Sequence, residues 1–232
     1  MKTKLFFDLD NTLARSRTKI EPEMKELLLS HMPPYEYVVI SGAEPERIFW
    51  QIDGLAIPRL AVNGNDSVDK DGTLLWKNEL TEAEKVSVRD HVEKLKEYFN
   101  VEVSNPEDLL EDRSSQMCYS VIGHNEDLDK KHAFDPDASK RKEALIRIPF
   151  ISDTVEVVIG GTTTFDYFKK GHHKGANIAR FIALKGWDKS ECVYFGDRLH
   201  PGGNDEPVIG VIDTVPVADH HDTYTKLKEL FA

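Results

Sequence analysis

The chain has 232 residues, enough for one large domain or for a core carrying a smaller insert. Its 30 basic and 41 acidic residues leave a net charge of −11, which speaks against nucleic-acid and anionic-membrane partners because a negative field repels both. Two cysteines, Cys118 and Cys192, make no disulfide framework and no apolar run approaches the ~18 residues of a membrane span, so a reducing, cytoplasmic location is expected.

Residues 5–9 are a short apolar run closed by carboxylates, which predicts a buried strand delivering Asp8 and Asp10 at its carboxyl end. A helix follows: Pro22 suits its first turn, and Met24, Leu27 and Leu28 recur at helical spacing. Residues 36–40, Glu-Tyr-Val-Val-Ile, read as a second buried strand stopped by Ser41-Gly42, and 45–51 as a helix. The turn signals Asn63-Gly64 and Asp71-Gly72 lie between short apolar segments and predict hairpins. Thr81 with Glu84 three residues later is a capping box, and Val88, Val92, Leu95 and Phe99 mark one face of the helix it opens.

From 101 to 150 the pattern is mixed, with a strand expected near 118–122 and a charged helix over 139–146. A strand is expected at 155–159. A helix opening at 171–174 carries Ile178, Phe181 and Ile182, and 193–196 reads as a strand ending on Asp197. One or two short strands fall in 208–217, and Leu227, Leu230 and Phe231 close the chain on an amphipathic helix. Strand–helix alternation at both chain ends predicts a parallel sheet, and the mixed middle an α+β insert. The core is therefore expected at 1–78 and 168–232, with the insert at 79–167.

Four features carry chemistry. Asp8-Leu9-Asp10-Asn11-Thr12 puts two carboxylates at a strand end, where one can attack phosphorus while the other trades a proton with the leaving or accepting oxygen. Ser41-Gly42 offers a hydroxyl and free N–H groups to phosphate. Lys174 at a helix start can neutralise phosphate charge and orient the nucleophile. Gly196-Asp197 with Pro201-Gly202-Gly203-Asn204-Asp205 clusters hard oxygen donors suited to Mg²⁺. Each is common alone; their order along the chain is not.

That ordered pattern resembles the haloacid dehalogenase superfamily, and the large insert between Ser41 and Lys174 resembles the C2B-type cap of its Cof-like subgroup. Within it, residues 7–17, 62–75, 159–174 and 195–208 are similar to the eukaryotic-type phosphomannomutase family, most specifically in Ile-Gly-Gly-x-x-x-Phe-Asp at 159–166 and Pro-Gly-Gly-Asn-Asp at 201–205. The resemblance implies a Rossmann-like α/β core with a parallel sheet plus an α+β cap. Asp8 would be the nucleophile and Asp10 the general acid/base. Ser41, Gly42 and Lys174 would contact phosphate, with Arg17 near the substrate. Mg²⁺ would be held by Asp8, the main chain of Asp10, and Asp197, supported by Asn204 and Asp205. Arg113, Thr164 and Asp166 would hold the distal end of a small phosphorylated metabolite, and a homodimer through the cap is implied. His124 and Lys131 stand where the family carries cap arginines, and neither grips phosphate bidentately as arginine does.

Other residues have plainer readings. The adjacent pairs His172-His173 and His220-His221 lack the i, i+4 spacing of a helical zinc site. Trp50, Trp76 and Trp187 are expected in or near the core, and Lys140, Arg141 and Lys142 on a solvated helix face. The thinned cap cations put hydrolysis of a sugar phosphate first, with mannose 1-phosphate/mannose 6-phosphate interconversion as the alternative. A non-catalytic module on this fold is disfavoured by the intact Asp8, Asp10, Lys174 and Asp197.

Overall fold

The computed structural model describes residues 1–232. In chain order the strands are β1 Lys4–Phe7, β2 Glu36–Ile40, β3 Arg59–Ala61, β4 Asp66–Val68, β5 Leu74–Lys77, β6 Leu110–Asp112, β7 Gln116–Ser120, β8 Val155–Gly160, β9 Thr164–Lys169, β10 Cys192–Gly196 and β11 Asp213–Pro216. The helices are α1 Pro22–Ser30, α2 Pro45–Gln51, α3 Glu82–Phe99, α4 Leu128–Phe134, α5 Ser139–Arg147, α6 Lys174–Lys185 and α7 His220–Phe231. The chain forms two compact units, one from 1–77 with 172–232 and the other from 78–171. Residues 168–171, expected with the core, are the end of β9 and the turn after it and cluster with the insert. No helix is long and apolar enough to cross a membrane.

The first unit is built on a seven-stranded sheet in the order β11-β10-β1-β2-β3-β4-β5. Strands β11 to β3 are parallel, while β4 and β5 return as antiparallel hairpins. Side chains alternate across each strand, so Leu5, Phe7 and Val39 enter the layer with Met24, Leu28, Ile48 and Leu227, while Phe6, Val38 and Ile40 pack with Ile178 and Phe181 on the other face. Burial on both faces explains why these strands read as continuous apolar runs.

The second unit is a four-stranded antiparallel sheet in the order β6-β7-β9-β8. One face of it, Met117, Tyr119, Phe165 and Tyr167, packs against Val88, Val92 and Leu95 of α3 and Ala144 of α5. Across the other face, Glu111, Cys118 and Asp166 stand directly opposite one another on β6, β7 and β9. The Thr81–Glu84 capping box forms, and Glu84 also receives the Lys169 ammonium at 2.9 Å.

Strand β9 and helix α4 are absent from the sequence reading, because Thr164–Lys169 alternates aromatic and polar residues weakly and Leu128–Phe134 is mostly charged. Two readings are corrected. Arg141 is not on a solvated face: it is 2 % exposed, its Nε donates to Asp135 at 2.7 Å, and its NH1 donates to the carbonyls of Gly160 at 2.5 Å and Thr164 at 3.2 Å. It closes the β8–β9 turn. Trp50 is 52 % exposed, with the Lys19 ammonium 5.8 Å from its ring, because α2 turns its apolar stripe inward through Ile48.

Candidate active site

The carboxyl ends of β1, β2 and β10 carry the chemistry-bearing residues of the first unit, where an open α/β sheet ordinarily takes its ligands. Asp8 follows β1 and is tied to β10 by its N–H, which donates to the Phe195 carbonyl at 3.0 Å. Lys174 is the first residue of α6, whose start is capped by His173: Nδ1 accepts the Ala176 N–H at 3.2 Å. The cap role explains one of the two histidines that flank the lysine.

The Lys174 ammonium donates to Asp8 Oδ1 at 2.7 Å, to Asp205 Oδ1 at 2.6 Å and to the Tyr194 hydroxyl at 3.3 Å. Tyr194 in turn donates to Asp205 at 2.6 Å, and the Arg198 N–H donates to the other Asp205 oxygen at 3.2 Å. Glycine at 196 permits this arrangement: a Cβ there would lie 2.4 Å from Asp205 Oδ2.

One ammonium serves several carboxylates. Asp8, Asp197 and Asp205 each bring a carboxylate oxygen to within 4.8 Å of the others. Burial pushes the Asp8 carboxyl up to about 8; Lys174 pulls it down, but Asp205 and Asp197 add to the rise. Burial and then Asp205 likewise push Asp197 up, against Arg198 and Lys174. Burial works against the Lys174 charge, yet Asp205 and Asp8 outweigh it and hold its pKa above the usual lysine value. Negative charge is therefore in surplus. The Asn204 side-chain oxygen is also buried and lacks a partner. Surplus carboxylate charge plus an orphaned amide oxygen is a hard-donor set that fits Mg²⁺.

Asp10 is held differently. Its Oδ1 accepts the Arg17 N–H at 2.8 Å and the Gln51 amide at 3.1 Å. Arg17 meets it through the main chain, at a positive φ of 61°, while its guanidinium is exposed. Ser41 follows directly after β2, buried, with Oγ accepting the Ala43 N–H at 3.2 Å, and Gly42 comes next.

Arg113, Thr164 and Asp166 lie in the second unit. Arg113 Nε donates to Glu111 at 3.0 Å. The Cys118 thiol donates to Asp166 at 2.9 Å. Gly160 lets Thr164 and Asp166 stand side by side, since a Cβ there would come within 2.6 Å of the Thr164 hydroxyl and 2.4 Å of Asp166 Oδ2. His124 and Lys131 are buried, at 3 % and 4 % exposure. His124 Nε2 donates to the Cys118 carbonyl at 2.9 Å, and Lys131 donates to the His124 carbonyl. Burial lowers the His124 pKa, against the pull of Glu111.

A family model for haloacid dehalogenase-like hydrolases matches residues 5–209. The chain belongs to that family. It is a phosphoryl-transfer enzyme of that family. Family membership accounts for the parallel core and separate antiparallel unit. The chain is 26 % identical over 243 residues to a phosphomannomutase of Spinacia oleracea, covering 97 % of this chain and 94 % of that one. It is 28 % identical over 251 residues to phosphomannomutase 1 of Dictyostelium discoideum, covering 99 % and 96 %. Among solved structures, a protein of Streptococcus mutans shares the fold with a TM-score of 0.72 at 13 % identity, covering 100 % of this chain and 99 % of that one. A haloalkanoate-superfamily phosphatase of Bacteroides thetaiotaomicron does so at 0.66 and 17 %, covering 100 % and 96 %.

Tyr194 and Gln51 are site residues that sequence reasoning missed. Tyr194 carries a faint signal, a hydroxyl inside a strand buried on both faces that must find a partner. Gln51 carries none, since a glutamine at a helix end is ordinary surface chemistry.

Proposed function

We propose that the protein is a hexose-phosphate mutase of the phosphomannomutase kind. Asp8, with Oδ1 fixed by Lys174, attacks phosphorus through its other oxygen. The phosphorus–sugar oxygen bond breaks, Asp10 hands that oxygen a proton, and a phosphoaspartate forms. Asp10 then takes a proton from a second sugar hydroxyl as that oxygen attacks the phosphoaspartate and frees Asp8. Asp8, Asp197, Asp205 and Asn204 would hold Mg²⁺, which neutralises charge on the transferring group when bound. The observation that carries this reading is the Lys174 bridge between Asp8 and Asp205 at 2.7 and 2.6 Å, with an Asp197 carboxylate oxygen within 4.8 Å of both.

The choice of mutase over hydrolase rests on the named relatives, whose likeness spans almost the whole chain. That reverses the order drawn from the sequence, where hydrolysis came first. Hydrolysis, with water in place of the second hydroxyl, keeps one specific support: Arg113 is engaged by Glu111, and His124 and Lys131 spend hydrogen bonds on main-chain carbonyls. A bisphosphate needs its second phosphate gripped, and these groups are poorly set for it.

The test is conversion of mannose 1-phosphate to mannose 6-phosphate with Mg²⁺ and a hexose bisphosphate activator, with free phosphate followed in parallel. Interconversion exceeding phosphate release, and lost in Asp8→Asn, is expected. Phosphate release without isomer formation would establish the hydrolase. Full turnover in Asp8→Asn would remove both.

A further inference from the structure

Gln51 closes α2 with no exposed surface, and its buried side chain is aimed at the acid/base rather than at the core. Its Nε2 donates to Asp10 Oδ1 at 3.1 Å and to the Thr18 carbonyl at 3.2 Å. Both partners are acceptors, so the amide can face them only with its nitrogen; turned over, it would set oxygen against oxygen. The opposite atom, Oε1, is buried without a hydrogen bond. A half-satisfied buried amide costs stability, since an apolar side chain of the same shape would avoid the desolvated oxygen. The main chain fixes the same spot: the Gln51 carbonyl accepts the Ile20 N–H at 2.6 Å, so the end of α2 and the loop after Asp10 are joined twice.

We propose that Gln51 is a positioning residue for Asp10. With the Arg17 N–H at 2.8 Å, it gives Oδ1 two N–H donors. An oxygen that already accepts two N–H bonds is a poor place for a proton, so Oδ2 is the atom that carries it. Fixing the carboxyl plane then aims that one atom at the bridging oxygen of the substrate. The assignment rests on Asp10 being the general acid/base of the proposed function. It extends that reading to a residue that touches neither substrate nor metal.

Leaving groups separate the two ideas. A sugar oxygen needs a proton as it departs, whereas p-nitrophenolate does not. The ratio kcat/KM reports the steps through phosphoryl transfer to Asp8, so it isolates the acid's contribution. Gln51→Met keeps the length without the N–H, and Gln51→Glu keeps the shape but presents oxygen to Asp10. Both are measured on mannose 6-phosphate, as total turnover, and on p-nitrophenyl phosphate, with urea unfolding as the check on folding. Expected is a fall in kcat/KM of about tenfold to a hundredfold on the sugar phosphate, the scale of a small misplacement of a reacting group. On p-nitrophenyl phosphate kcat/KM stays nearly unchanged, and KM for the sugar phosphate holds while kcat falls. Equal losses on both substrates in a folded variant, or no loss on either, would overturn the assignment. Should Gln51→Met fail to fold, Gln51→Glu decides by the same ratio. Asp10→Asn run alongside tells the two failures apart: if it shows no leaving-group dependence, the acid/base reading itself falls.

Discussion

Asp205 accepts hydrogen bonds from three neighbours, Lys174, Tyr194 and the Arg198 N–H, and fits where it does because Gly196 has no side chain. A methyl group at 196 cannot coexist with Asp205 in its present place. Gly196→Ala should therefore displace a carboxylate from the proposed Mg²⁺ site, and it also presses on the buried Tyr194 ring, 2.7 Å from the added Cβ. Isothermal titration should show Mg²⁺ affinity lowered by about tenfold or more, comparable to losing a supporting group around a metal. Unchanged affinity would separate Asp205 from metal binding and leave it as the partner of Lys174 alone.

Among the elements, α3 and β9 meet at a histidine. His91 is buried, its Nε2 donates to the Ile148 carbonyl at 2.8 Å, and its Nδ1 accepts the Tyr167 hydroxyl at 2.8 Å. Burial lowers its pKa below the ordinary 6.5; the Ile148 carbonyl pulls the other way, and Lys94 adds a little to the fall. The folded ring is thus neutral where the unfolded one takes a proton. His91 contributes stability in full above pH 6.5, and that contribution is lost as pH falls through the folded-state value. Urea midpoints from pH 7 to pH 5 should fall more steeply for the parent chain than for His91→Gln. Parallel slopes would remove His91 as the source.

The same elements show what the sequence made readable. Strands β1, β2 and β10 announce themselves because burial on both faces demands unbroken apolar runs, and the carboxylates that stop those runs are the candidate site. The hairpins and the α3 cap follow from local turn and capping chemistry. Arg141 and Gln51 do not, because a polar side chain near a helix end looks the same whether it meets water or a buried carbonyl. Only the β8–β9 turn brings Gly160 to Arg141, and only the loop after β1 brings Asp10 to Gln51. Such pairings are tertiary, and composition or periodicity carries no trace of them.

At the scale of the whole molecule, the two units differ in how the chain enters them. Residues 78–171 are one unbroken segment with its own sheet and its own apolar core, whereas the other unit needs both chain ends. The segment 78–171 expressed alone should fold, with cooperative urea unfolding and dispersed amide resonances. A non-cooperative, poorly dispersed product would mean that its core is not self-sufficient.

That division also orders events during biosynthesis. Lys174 lies 166 residues beyond Asp8. At roughly 5–20 residues per second, the ribosome delivers the lysine about ten to thirty seconds after the aspartate. Throughout that interval β1 has neither β10 nor the ammonium, and the middle segment completes its own sheet only with β9, a few residues before Lys174. Asp8, the proposed nucleophile, is made almost first and meets its charge partner almost last, so a chain cut short before Lys174 holds that carboxylate without its ammonium.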